Sequence, residues 1–365
     1  MATFVETKSK TWKAVVRRRG YPTVSKTFRL KRSAEDWARG VEDEMARRIF
    51  IHRAGSEKTT LRQAMERYLA EVSSTKREST QKSEQTKSKP LIRILGDYSL
   101  AALTPDIIAG YRDKRLSEDV QTKSPRSKPK GKVSNSTVLH ELALLSHLFT
   151  TAIQEWHIGL AFNPVSGVRK PSPGRGRNRR LGQQEERKLL EATRAYSNPF
   201  LGWIVELALE TSMRLGEASG VQLNQVDLSR RIIMLPDTKN HEIRMVPLSR
   251  RATEIMREAL AFPRPHDCPL VFFGEPGRDG QRHPYRFNRA WTKIKNDLGM
   301  ADFRFHDLRH EAVSRLISAG VPDQQVAAIS GHKSMQMLKR YTHLRSETLV
   351  AVLCGFHAIR TLSPR

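Results

Sequence analysis

The sequence predicts an α+β multidomain chain: a small N-terminal β-sheet plus helix, a helical middle, and a mainly helical C-terminal half carrying a small β-sheet. Three observations predict it. Short β-prone runs open the chain, apolar residues at helical spacing fill the middle, and a Pro/Gly-rich basic stretch precedes a second series of helical and paired-strand patterns.

Residues 1–57 supply the sheet and helix. Trp12–Arg17 and Thr23–Arg29 are strand candidates, with Arg18–Pro22 as the turn between them. Ser33 precedes a helical pattern in which Trp37, Val41 and Met45 share one face. The segment holds 14 Lys or Arg against 7 Asp or Glu, and the basic residues concentrate in the hairpin.

Residues 58–172 read as helical. Thr60 is placed to cap a helix bearing Leu61, Ala64, Met65, Tyr68 and Leu69 on one side. Thr104-Pro105 opens another, with proline at its first position. From Ser136 a long stripe of Leu139, Leu142, Ala143, Leu145, Leu148, Phe149 and Ile153 predicts the longest helix. The loop Gln121–Asn135 carries five Lys or Arg and no acid.

Arg169–Arg180 is the next boundary, with six positive charges, no acid, and enough Pro and Gly to stay extended. Its arginines suit a strand lying along phosphates as well as they suit a plain linker. Residues 173–365 then form the last unit. Trp203–Leu209 is a core run, Ile232–Leu235 and Glu242–Leu248 pair as strands around Asp237–Asn240, and a helix begins near Phe305. Leu349–Leu353 and Phe356 give the chain an apolar tail.

Composition narrows the function. At 365 residues the chain can bury two or three cores, and its 38% hydrophobic content is modest. A formal charge of +26 with a pI near 10.5 argues against an enzyme of small neutral substrates and for a polyanionic partner. No run is long and apolar enough to span a membrane, and the first residues lack a secretory pattern. Two distant cysteines, Cys268 and Cys354, give neither a disulfide framework nor a zinc site, so a reduced, cytoplasmic protein is expected.

The chemistry concentrates in five short stretches: Thr211–Glu217, Thr238–Asn240, His306–His310, Gly331-His332 and Arg340–His343. Arginine presents five donors in a fixed fork and stays charged, so Arg214 and Arg309 suit a phosphate clamp. His306 and Arg309 lie three apart on one helical side, and the titration range of histidine makes His306 a fitting base. Asp307 is placed to cap that helix, whereas His310 is expected to pack or bond internally. Lys239 falls at a hairpin tip. Tyr341 follows His332 by nine residues, a spacing that no other tyrosine in the chain has from a Gly-His pair.

This order of Arg214, Lys239, His306, Arg309, His332 and Tyr341 resembles the tyrosine recombinase (phage integrase) family. Asp307–Arg315 together with Ile329–Met335 is similar to plasmid and prophage integrases and shufflon-type invertases. The resemblance implies that Tyr341 attacks a phosphodiester to give a 3′-phosphotyrosyl link. Arg214, Arg309, His306 and His332 would hold the phosphate, and Lys239 would protonate the leaving 5′-oxygen. Glu217 would orient the site, and Ser212 stands where the family usually has glycine. The resemblance further implies no metal, no cofactor and no ATP. It makes 1–57 an arm-type DNA-binding domain, 58–172 a core-binding domain and 173–365 the catalytic domain. Its partners would be double-stranded recombination sites and three further copies in a tetramer, with room for a DNA-bending protein and a directionality factor. The tail would dock on a neighbouring copy or on its own domain. A type IB topoisomerase and a non-catalytic DNA-binding regulator remain the alternatives.

Overall fold

The computed structural model describes residues 2–120, 131–174, 176–236, 243–339 and 341. Its fold class is the expected α+β, mostly helical with small antiparallel sheets. The chain divides into two compact units, Met1–Gly176 and Arg177–Arg365.

The first unit opens on strands β1 (Ala2–Glu6), β2 (Trp12–Val16) and β3 (Val24–Phe28), antiparallel in the order β1-β2-β3. The sequence pattern located β2 and β3 but not β1, which pairs with β2 along its whole length, from Ala2↔Val16 to Glu6↔Trp12. Alternation turns Ala14, Val16 and Val24 inward against Ala34, Ala38, Val41 and Met45 of helix α1 (Lys31–Ala46). That helix starts before Ser33, which therefore lies within it rather than at its cap. Lys13 and the Arg17–Arg19 turn stay exposed.

The helices α2 (Ala54–Lys58), α3 (Leu61–Glu71), α4 (Glu78–Leu95), α5 (Pro105–Ser117) and α6 (Asn135–Gln154) complete the unit. Thr60 caps α3 in a reciprocal box with Gln63, and Thr104 caps α5 ahead of its first-turn proline, as the sequence led one to expect. The α6 stripe buries Leu142, Leu145, Leu148 and Phe149 against Met65, Tyr68, Leu91 and Tyr111. Helix α4 was not visible as a pattern. Its first twelve residues hold no apolar side chain, and only Leu91 and Leu95, near its end, are buried hydrophobics.

The second unit contains α7 (Gln183–Arg194), α8 (Phe200–Thr211), α9 (Leu215–Ser219), β4 (Val226–Asp227), β5 (Ile232–Leu235), β6 (Arg244–Pro247), α10 (Arg250–Ala261), β7 (Phe273–Pro276), β8 (Arg282–Pro284), α11 (Asn288–Asp297), α12 (Phe305–Ser318) and α13 (Asp323–Ser330). Helix α8 is apolar nearly all round and runs through the middle, packed by α7, α10 and α12. Phe200 alone meets the rings of Trp203, Phe262, Phe272, Phe273 and Tyr285 edge-on or tilted. The expected β5–β6 pair is present, with Ile233 opposite Val246 and both buried. Among the described residues no helix is long and apolar enough to cross a membrane.

Candidate active site

The end of α8 sets the geometry. Ser212 takes the left-handed conformation (φ 55°, ψ 21°), turning the chain so that Met213 enters the core and Arg214 stands at the start of α9. The Arg214 amide donates to Glu217 Oε2 at 2.9 Å and its Nη1 to Glu217 Oε1 at 2.7 Å. The other fork nitrogen, Nη2, donates to the carbonyl of Gly331 at 3.3 Å. Glu217 thus supports the arginine from behind, as its expected orienting role requires.

A second arginine completes this support. Arg244, on the inward face of β6 with Val246, donates from Nη2 to Glu217 Oε2 at 3.1 Å and from Nη1 to the Ser330 carbonyl at 2.6 Å. Its Nε has no partner, and burial pushes its pKa down despite Glu217. Burial alone would raise the Glu217 carboxyl. The Arg214 amide and the two guanidinium groups outweigh burial and hold it below the ordinary range.

Arg309 rises from the first turns of α12 and is 3% exposed. Its Nη1 donates to the Ser212 carbonyl at 2.6 Å, so the left-handed turn that presents Arg214 also fixes Arg309. Its Nη2 lies 3.4 Å from His332 Nε2. Burial, then Arg214, lowers Arg309 to about 10, which leaves it charged at neutral pH.

His332 follows the left-handed cap Gly331 (φ 70°) that ends α13. Ser330 Oγ donates to the Val326 carbonyl and lies 2.6 Å from His332 Nδ1. With its one proton so used, the serine must accept from Nδ1–H, which leaves the Nε2 lone pair toward Arg309. Burial, then Arg309 and Arg214, lowers His332 to about 4, so the ring is neutral at physiological pH.

Tyr341 is 5% exposed and packs with Val313, Ile317, Val326 and Leu338. Its hydroxyl is hydrogen-bonded to His310 Nδ1. His306, exposed on the first turn of α12, meets the His310 ring edge-on with centroids 4.8 Å apart. Buried Asp307 accepts the Arg304 amide at 2.8 Å, the capping role expected of it, and also binds Arg177.

The structure therefore joins Arg214, Arg309 and His332 in one cluster and places His306 one helical turn before His310, which holds Tyr341. Lys239 lies outside the described residues, as do residues 121–130 of the basic loop and the tail from 342 onward. Three of the linker arginines are engaged within the second unit: Arg177 binds Asp307, Arg179 binds Glu185 and Asp302, and Arg180 binds Glu311.

Arg244 escaped sequence reasoning, whereas His310, expected to pack or bond internally, does so, with only its partner Tyr341 unforeseen. Arg244 had a readable signal, an arginine on the inward face of a strand that could be buried only against a carboxylate. His310 had another, because residues four apart on a helix share a face with His306. Chemically, the arginines can hold a tetrahedral anion, while the neutral His332 beside them presents a lone pair that must gain a proton before it can join them.

A model of the phage integrase family matches residues 179–348. The shufflon-specific DNA recombinase of Escherichia coli is 40% identical over 301 residues, spanning 81% of this chain and 72% of that protein. Among solved structures, a lambda integrase dimer bound to a COC′ core site is similar in fold. Its TM-score is 0.59 at 19% identity, covering 94% of this chain and 95% of that one. A lambda integrase tetramer bound to a Holliday junction gives a TM-score of 0.57 at 18% identity, covering 91% and 95%.

Proposed function

Because the chain belongs to the phage integrase family and is a site-specific tyrosine recombinase, we propose that Tyr341 is its nucleophile and that Arg214, Arg309, His306 and His332 hold the scissile phosphate. The observation that carries this reading is the convergence of Arg214, Arg309 and His332 from three separate elements, tied through Ser212 and Gly331. The guanidinium donors are fixed before the reaction and the equatorial oxygens gain charge in the transition state, so the stabilisation is greatest where the barrier lies.

Lys239 is assigned to protonate the leaving 5′-oxygen, on its place between the paired strands β5 and β6. The phosphotyrosyl link stores the energy of the broken bond, and a 5′-hydroxyl of a partner duplex consumes it. Residues 1–57 are assigned to arm-site binding, 58–172 to the core site, and 173–365 to chemistry. The basic outer turn of the N-terminal sheet supports the first of these.

The likeness to the shufflon-specific recombinase supports inversion of a DNA segment as the outcome, and the lambda tetramer on a Holliday junction supports four copies acting together on double-stranded sites. Nicked suicide duplexes made from the gene's flanking DNA test the chemistry. A denaturation-resistant protein–DNA adduct is expected in EDTA with the native chain and none with Tyr341→Phe. An adduct that persists in Tyr341→Phe would remove Tyr341 as nucleophile. Tight binding with no adduct on any fragment would favour a regulator. A plasmid carrying the recovered sites as inverted and as direct repeats then separates inversion from excision.

A further inference from the structure

The hydroxyl of Tyr341 is bonded to a side chain outside the set assigned above. We propose that His310 is the catalytic base that takes the Tyr341 proton as the tyrosine attacks, an inference that rests on Tyr341 being the nucleophile. Three features of the site support it.

The first is contact. His310 Nδ1 is hydrogen-bonded to the reacting oxygen itself, and in the tautomer carrying its proton on Nε2 the phenol donates to the Nδ1 lone pair. A base must reach the proton that it removes, and this nitrogen already does.

The second is charge. Proton transfer creates an imidazolium, and the groups facing it decide whether that is tolerated. On its own helix Asp307 is buried and ionised: burial would raise its carboxyl, the Arg177 ion pair and the Arg304 amide outweigh burial and lower it, and His310 adds a smaller part. Arg309 on the same helix and His332 beyond α13 face the same space, and the arginine opposes a new positive charge. A bound phosphodiester brings a negative charge against Arg309 and Arg214, which relieves that opposition when the substrate arrives.

The third is an exit. His306, one turn earlier on α12, meets the His310 ring edge-on and is exposed. A proton received in the half-buried interior thus has a second imidazole between it and solvent.

The step balances. The Oη–H bond breaks as Nδ1–H forms, Oη–P forms as P–O5′ breaks, and the leaving oxygen takes its proton from the separate acid. On rejoining, O5′–P forms as Oη–P breaks, the incoming 5′-hydroxyl gives its proton back to the separate acid that was left deprotonated by cleavage, and His310 returns its proton to Oη.

The test is single-turnover adduct formation by the full chain on a nicked suicide duplex, with DNA binding measured in parallel. Glutamine keeps a hydrogen bond but cannot take a proton. His310→Gln is therefore expected to lose about 10²- to 10⁴-fold in cleavage rate at unchanged DNA affinity, together with the rise in rate through the histidine titration range. Asparagine is the second variant should glutamine fold poorly, and added imidazole should restore part of the rate to either. A duplex with sulfur in place of the bridging 5′-oxygen needs no acid, so it should not rescue His310→Gln. Rescue by that sulfur would make His310 an acid and overturn the proposal. So would a wild-type rate and pH profile in His310→Gln, or loss of the pH-dependent limb in His306→Gln alone. An adduct formed by Tyr341→Phe would instead overturn the nucleophile assignment, so the two failures are distinguishable.

Discussion

The guanidinium of Arg244 occupies the space beside Gly331 in which a side chain would stand: a Cβ added there would lie 2.2 Å from Nη1. Gly331 is required twice over, for its left-handed φ of 70° and for this approach. Gly331→Ala should cost about 1–2 kcal/mol for the conformation alone. It should also push Arg244 from Glu217 and Ser330, displacing His332 and the supports of Arg214. A cleavage loss of about 10²-fold with DNA affinity retained is expected from such misplacement. Near-normal single-turnover cleavage by Gly331→Ala would show that Arg244 does not position the phosphate cradle.

Ser212 predicts a change of opposite sign. It occupies the left-handed region where glycine is at ease, and its buried Oγ has no hydrogen-bond partner. Relief of the backbone, about 1–2 kcal/mol, exceeds the roughly 0.5–1 kcal/mol that glycine adds in unfolded-state freedom. Removing an unpaired hydroxyl adds to the gain. Arg309 binds the Ser212 carbonyl rather than its side chain, so cleavage should be unaffected. Ser212→Gly should raise the melting temperature of the second unit by about 2–4 °C. An unchanged or lower value would mean that the hydroxyl is satisfied in solution.

How much of this was legible in the sequence depends on what each residue answers to. Thr60 and Thr104-Pro105 obey local rules, and the structure places them as read, whereas the α6 stripe is met in part: Leu142, Leu145, Leu148 and Phe149 are buried, but Ala143 is exposed and Leu144, outside the stripe, is buried. The cluster of Arg214, Arg309 and His332 was legible through motif order, not through any local preference. Strand β1 and helix α4 were not, because β1 is defined by its partner across a turn and α4 is polar over most of its length. Arg244 and His310 share another cause. A local signal marks each residue, but its partner, Glu217 or Tyr341 respectively, lies far away in sequence and no spacing rule identifies it.

Glu311 predicts how the linker is held. It is 3% exposed, its Oε2 accepts both Arg180 Nε at 2.8 Å and the Leu181 amide at 3.0 Å, and Arg315 Nε binds Oε1 at 3.0 Å. Arg180 and Arg315 are half-exposed and can return to water, whereas the Leu181 amide cannot. Glu311→Ala should therefore cost about 1–3 kcal/mol, the penalty of one buried unpaired donor, rather than that of a fully buried ion pair. Amide hydrogen exchange at Leu181 is the direct measure, and protection equal to the native chain's would refute the assignment.

His332 makes the last prediction, a proton taken up with the substrate. In the free protein Nδ1 donates to Ser330 and the Nε2 lone pair faces Arg309, an arrangement that burial and the arginines hold neutral down to about pH 4. A phosphate oxygen arriving beside Arg309 would meet that lone pair and be repelled unless Nε2 gains a proton. The anion should therefore raise the His332 pKa toward neutrality, and tight binding should strengthen as pH falls toward that value. Stability has its own dependence. The folded pKa lies below the ordinary 6.5, so the unfolded chain takes the proton first, and stability present above pH 6.5 is lost as pH falls toward about 4. A histidine-resolved NMR titration of the chain, free and then bound to an uncleavable duplex, separates these effects. A value near 4 that rises on DNA binding would establish His332 as a charged phosphate ligand. The same value with and without DNA would leave the two arginines to hold the phosphate without it.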